Sequence, residues 1–170
     1  MIYRSVVEFL LTLFWRVKPR SLPSKTIYPV VESQSDSLHS LLQLLRKYPW
    51  WRFGHSELAE LQLQNGDAPK AYISGVAMKQ LAKSDSDLKA AHFVIGRAEL
   101  QVGEVTRSIQ TLLSALGNSE CDYRVREELA AAYLANDEVE KAEAELRLIP
   151  EERISVTGKS VLSFCVRKRE

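Results

Sequence analysis

A chain of 170 residues, 45% of them hydrophobic, is long enough for one domain that buries roughly 70% of its unfolded surface. Lys plus Arg number 23 against 22 Asp plus Glu, a formal net charge of +1, which excludes the strongly basic footprint of a nucleic-acid binder. Cys121 and Cys165 are the only cysteines, so neither a disulfide framework nor a zinc spacing is present, and a reducing, cytoplasmic setting is expected.

The first predicted element covers residues 1–18. Val6, Val7, Phe9, Leu10, Leu11, Leu13, Phe14 and Trp15 form an apolar run that ends in Arg16, Lys18 and Arg20. Glu8 interrupts the run and no small-x-small site follows, so it does not read as a cleaved signal. It is also shorter than the roughly 20 residues of a membrane span. On a helix, Arg4, Glu8, Thr12 and Arg16 recur every fourth position as one polar stripe. The rest is a wide apolar face with Ile2, Val6, Phe9, Leu10, Leu13 and Val17 as its membrane-facing candidates. Such a face meets either a membrane surface, helped by the basic residues up to Arg20, or protein: a partner, the rest of the fold, or a second copy.

Pro19, Pro23 and Pro29 with the serines around them make residues 19–36 a linker. A helical domain is predicted over 37–150. Its first helix starts at an Asp36 or Ser37 cap, carries Leu38, Leu41, Leu42, Leu44 and Leu45, and stops at Tyr48 before Pro49, which is placed to begin the next helix. Three hairpins follow, near 50–65 with 68–82, 87–102 with 104–116, and 122–135 with 138–149. Ser84 to Asp87 and Gly117 to Glu120 are the polar links that offer N-caps. Pro150 ends the last helix. In the segment 151–170, Leu162, Phe164 and Val166 alternate like a strand, while Val161, Leu162 and Cys165 fit one helix face. A terminal helix capping the domain is the preferred reading.

The hairpin turns repeat. Gly66-Asp67-Ala68-Pro69-Lys70-Ala71, Gly103-Glu104-Val105-Thr106-Arg107-Ser108 and Asp137-Glu138-Val139-Glu140-Lys141-Ala142 start 37 and 34 residues apart. A large residue followed by a small one recurs on each first helix, at Leu58-Ala59, Ile95-Gly96 and Leu129-Ala130. Ala71, Ser108 and Ala142 are the small residues opposite them on the second helices. With Gly75 and Met78, Leu112 and Ala115, Tyr133, Leu146 and Ile149, this pattern over residues 50–150 resembles the tetratricopeptide repeat family. Gln62 and Glu99 stand where that family has an aromatic residue, Gly75 where it has a large one, and Asp137 where it has the turn glycine. The resemblance implies an all-α solenoid of about three antiparallel helix hairpins, with the 1–18 helix as an addition. It also implies a concave groove lined by the first helix of each hairpin.

Projecting that geometry, the groove residues are Phe53, Glu57, Glu60, Leu63 and Gln64, then Phe93, Arg97, Leu100 and Gln101, then Arg124, Glu127, Ala131 and Leu134. Leu63, Leu100 and Leu134 are equivalent and form an apolar strip in this projection. Ser56, Phe93 and Glu127 fill the places of the family's carboxylate-clamping lysines, so that specialised function is not expected. In Tyr48-Pro49-Trp50-Trp51-Arg52-Phe53, the aromatic residues either cover the open end of the solenoid or present Trp50 and Trp51 as an anchor for a partner.

No catalytic constellation is seen. Thr157-Gly158-Lys159-Ser160 lacks the earlier glycine of a phosphate loop, that place being Arg153. His55 and His92 are equivalent packing positions without accompanying metal ligands, and Cys121 lies between acidic neighbours that disfavour a thiolate. No cofactor or metal is expected. The expected function is a non-enzymatic adaptor that holds a segment or helix of another protein, tethered to a membrane or free. The alternative is a self-assembling scaffold whose N-terminal helix packs on the solenoid or on a neighbouring copy.

Overall fold

The computed structural model describes residues 34–117 and 122–169. The predicted helix at 1–18, its candidate membrane face, most of the linker and Cys121 lie outside them. The described residues form eight helices and no strand: α1 Gln34–Lys47, α2 Arg52–Gln64, α3 Ala68–Leu81, α4 Asp85–Gln101, α5 Val105–Ala115, α6 Tyr123–Ala135, α7 Val139–Arg147 and α8 Val156–Arg169. Each helix packs on the next, except across the α1 end, where α1 meets only α2. Beyond these neighbours α4 touches α2, α6 touches α4, and α8 touches α6. The first helices of successive hairpins therefore form one layer, α2–α4–α6–α8, with α3, α5 and α7 on its other side. This is a tetratricopeptide-like helical solenoid.

The three turns are built alike. Gly66 and Gly103 hold φ of 73° and 84°, and Asp137 holds 60°, the left-handed backbone that ends a helix. In each, two amides turn back to the helix just finished. Asp67 N–H donates to the Gln62 carbonyl (2.8 Å) and Gly66 N–H to Leu63 (3.1 Å). Glu104 and Gly103 do the same to Glu99 and Leu100, and Glu138 and Asp137 to Tyr133 and Leu134. The residue spacing of the repeat is thus a spacing of helix stops. Ser84 caps α4, its Oγ accepting from Asp87 N–H (3.2 Å), while Asp87 accepts from Lys83 N–H (3.0 Å).

Four local expectations are corrected. The first helix begins at Gln34, upstream of the Asp36-Ser37 cap. Pro49 does not open α2: Trp51 N–H bonds the Tyr48 carbonyl (3.0 Å) in a tight turn, and the helix starts at Arg52. Gly75 does not leave a large residue's volume empty. A Cβ there would lie 2.7 Å from Ile95 Cγ1 and 3.1 Å from Val94, so side chains of α4 fill the space. In the first hairpin the small residues sit in separate clusters, Ala59 with Met78, Ala91 and Val94, and Ala71 with Leu63, Ala68 and Ala98. In the second the expected approach is direct: Ser108 Oγ donates to the Gly96 carbonyl (2.8 Å).

The missing aromatics at Gln62 and Glu99 are replaced by polar links inside the hairpins. Ser74 Oγ donates to Gln62 Oε1 (2.8 Å), and Thr111 Oγ1 donates to Glu99 Oε2 (2.7 Å), with Arg107 3.2 Å from the other carboxylate oxygen. Both Gln62 and Glu99 are buried, so these partners meet the requirement that interior polar atoms be bonded.

The ambiguous tail is a helix. Cys165 of α8 is fully buried with Leu129, Ala132, Tyr133 and Leu146, and Val161 and Leu162 pack beside it. Gly158 lets its first turn come against α6, where a Cβ would meet Glu127 Oε1 at 2.7 Å. Glu127 accepts a hydrogen bond from Ser155 N–H (2.6 Å), placing a carboxylate at the positive end of α8.

Candidate functional site: the concave face

The exposed side of the α2–α4–α6–α8 layer carries most of the residues projected for the groove. The structure brings Glu60, Phe93, Arg97 and Arg124 together. Arg97 Nη1 is 2.7 Å from Glu60 Oε2, and Arg97 Nε is 2.9 Å from Glu128 Oε1, so one guanidinium ties three helices. Arg97 and Arg124 each place their guanidinium carbon 5.4 Å from the Phe93 ring centre. Arg124 is 73% exposed, and its contact with Glu60, at 3.9 Å, is longer than a hydrogen bond. Burial pushes the Glu128 carboxyl above the usual range, against the pull of Arg97 and Arg124. Gln101 Nε2 donates to the Leu63 carbonyl (3.3 Å), and Gln64 is exposed. Phe53 is half-exposed at the α2 end with Glu57 one turn on.

Three projected features are not there. Leu63 is 3% exposed and packs with Ala68, Ala71 and Ala98, while Leu100 and Leu134 pack against the core of the third hairpin. The apolar strip is therefore interior packing, and an ion network lies where it was expected. The projection was too coarse: residues one helical position apart fall on opposite sides of the line between core and solvent. Glu127 is engaged with α8 rather than open. Trp51, 7% exposed, lies in a cluster with Leu41, Leu45 and Leu58 beneath α1, so it covers the solenoid end. Trp50 is half-buried and stacks edge-on with Tyr48 at 6.0 Å.

Sequence reasoning missed the fourth wall. Cys165 shares full burial with Ala98 and Ala132, which puts Phe164 in the place of Arg97 and Ala131. Phe164 is 48% exposed. A signal for it exists: Leu162-Ser163 repeats the large–small pair 33 residues after Leu129-Ala130.

His55 and His92 face their own hairpins. His55 Nε2 donates to the Pro49 carbonyl (2.8 Å), and burial lowers its pKa. Burial likewise lowers that of His92, with Lys79 adding to the effect. Among the described residues no group of three His, Cys, Asp or Glu is placed to hold a metal ion. No described helix is long and apolar enough to cross a membrane.

No protein-family model matches the chain, and no curated protein aligns with it significantly. Among solved structures it is similar to MamA, residues 41 to the end, from Desulfovibrio magneticus RS-1, with 17% identity and a TM-score of 0.64 over 99% of this chain and 84% of that one. It is similar as well to the MamA RS-1 ArsTM double mutant, with 15% identity and a TM-score of 0.65 over the same shares. The likeness is one of fold, and it extends the helical-hairpin solenoid over nearly the whole chain.

Proposed function

We propose that this protein is a non-enzymatic interaction scaffold that holds a segment or a helix of another protein on its concave face. The observation that carries this reading is the Phe93 platform, where an aromatic ring and two guanidinium groups share one exposed surface, fixed from below by Glu60 and Glu128. Aromatic and arginine side chains dominate interface energetics, and a pre-set platform loses little freedom when a partner arrives. The fold adds to this, since a solenoid of stacked hairpins offers an extended concave surface. Residues 1–20 are proposed as the tether, their apolar face meeting an anionic membrane surface.

The test is a full-length protein with Phe93→Ser, a partner recovered by crosslinking to the wild type, and circular dichroism as the control for folding. The reading expects a folded variant that loses the partner at least about tenfold in affinity, which is about 1.4 kcal/mol. A folded Phe93→Ser that keeps the partner moves the interface off this face.

A further inference from the structure

We infer that the α6–α8 end of the concave face docks an acidic segment of the partner, which sets an apolar side chain on Phe164 and carboxylates against Arg124 and Arg167. This rests on the reading of the concave face as the binding surface and adds the partner's chemistry and position.

The first support is charge. Helix α8 carries Lys159, Arg167, Lys168 and Arg169 and no acidic residue, in a chain whose charges otherwise nearly balance. The carboxylates around it are already committed. Glu127 accepts from Ser155 N–H, Glu128 pairs with Arg97, and Asp137 pairs with Lys168 at 2.5 Å. Arg124, by contrast, makes no hydrogen bond among the described residues, and its flat side rests on Phe93. Arg167 uses Nε on its own helix, on the Ser163 carbonyl at 3.2 Å, and is otherwise exposed. A stacked guanidinium with open N–H groups is a fork for a carboxylate, and a charge-assisted bond at close range exceeds what Glu60 gives at 3.9 Å.

The second support is the apolar ring. Phe164 stands 48% exposed in the place filled by Glu60, Arg97 and Ala131 on the earlier helices. The solvent-facing positions around it on α8 are Lys159, Ser160, Ser163 and Arg167, so the ring is an isolated apolar point in a basic field. An acidic segment with apolar residues between its carboxylates complements both. Its position at the end of a concave layer, rather than on a broad flat face, favours a polypeptide over a lipid surface.

The test uses the full chain and a labelled synthetic amphipathic peptide in which Glu alternates with Leu and Phe along one helix face, read by fluorescence anisotropy. Controls carry Gln or Lys in place of Glu. The acidic peptide is expected to bind, the Gln peptide to bind at least about tenfold more weakly, and about 1 M salt to reduce the difference. Arg124→Gln with Arg167→Gln, and separately Phe164→Ser, should each weaken binding several-fold with unchanged circular dichroism. Arg153→Gln, at an exposed position before α8, should leave it unchanged. Equal binding of the Gln peptide, no binding of the acidic peptide, or full affinity in the Arg124/Arg167 variant overturns the inference. So does capture by phosphatidylserine vesicles through the same arginines without peptide binding. If the peptide is lost in Phe93→Ser but not in these variants, the end assignment fails and the concave face stands. If none of these substitutions matters, both fail.

Discussion

Asp137 adopts φ of 60° at the place where Gly66 and Gly103 stand in the first two turns, and it also pairs with Lys168 of α8. A non-glycine residue in this backbone costs on the order of 1 kcal/mol. Gly103→Ala should therefore lower stability by about 1 kcal/mol in urea unfolding, although open space surrounds it. The opposite case is Gly75, where the backbone is ordinary and the space is not. Gly75→Ala should lose about 1–3 kcal/mol, because Ile95 and Val94 must shift. If Gly75→Ala proves neutral while Gly103→Ala does not, the close packing of α3 on α4 is wrong. The histidines give a pH dependence. Both have folded-state pKa values below the model value of 6.5, so the neutral form is favoured in the fold. Their contribution is present above about 6.5 and is lost as pH falls from there through the lowered values. Replacing both, His55→Gln with His92→Gln, should flatten the fall of Tm between about pH 7 and pH 5.

At the scale of elements, Arg97 joins α2, α4 and α6, and sequence spacing had marked it only as a groove residue. Arg97→Ala leaves the mostly buried Glu128 carboxylate without its main partner. The Glu128 pKa is raised already and should rise further, so the charged form is penalised above its unfolded value and the penalty is relieved by acid. We expect a loss of about 1–3 kcal/mol at neutral pH, against wild type, that shrinks toward pH 4. A loss independent of pH would assign it to packing instead. Helix α8 gives the second element-scale expectation. Glu127→Gln keeps the shape but removes the charge at the α8 N-terminus, and about 0.5–1 kcal/mol should be lost. Removing α8 altogether exposes Leu129, Leu146 and their neighbours, so a chain ending at Arg153 should aggregate or melt well below the full chain.

The whole molecule is a stack in which each hairpin meets only its neighbours, with α1 over Trp51 at one end and α8 over the third hairpin at the other. Such a fold leaves one long surface and no enclosed chemistry, which is why the proposed function is assigned to a face. The proposal for residues 1–20 is tested at this scale. Flotation with anionic vesicles should carry the full chain and leave a chain starting at Ser21 behind, with the helical signal of both unchanged. A full chain that stays below the vesicles at low salt would assign the apolar face to protein contacts.

Much of this was legible without coordinates, because it is written in short-range chemistry. Turn residues at Gly66, Gly103 and Asp137 stop helices through bonds five residues back, and the small residues at Gly96 and Ser108 let helices meet; both act within one hairpin. The period of these local signals determined the fold. What only the tertiary structure decided is which side of each first helix faces solvent. Leu63 went inside, Phe164 came to the surface, and Arg97 found Glu60, 37 residues away, and Glu128, 31 residues away. Those outcomes depend on how one hairpin is rotated against the next. That rotation is set by packing of many side chains such as Ile95 against Gly75, and no single spacing in the sequence encodes it.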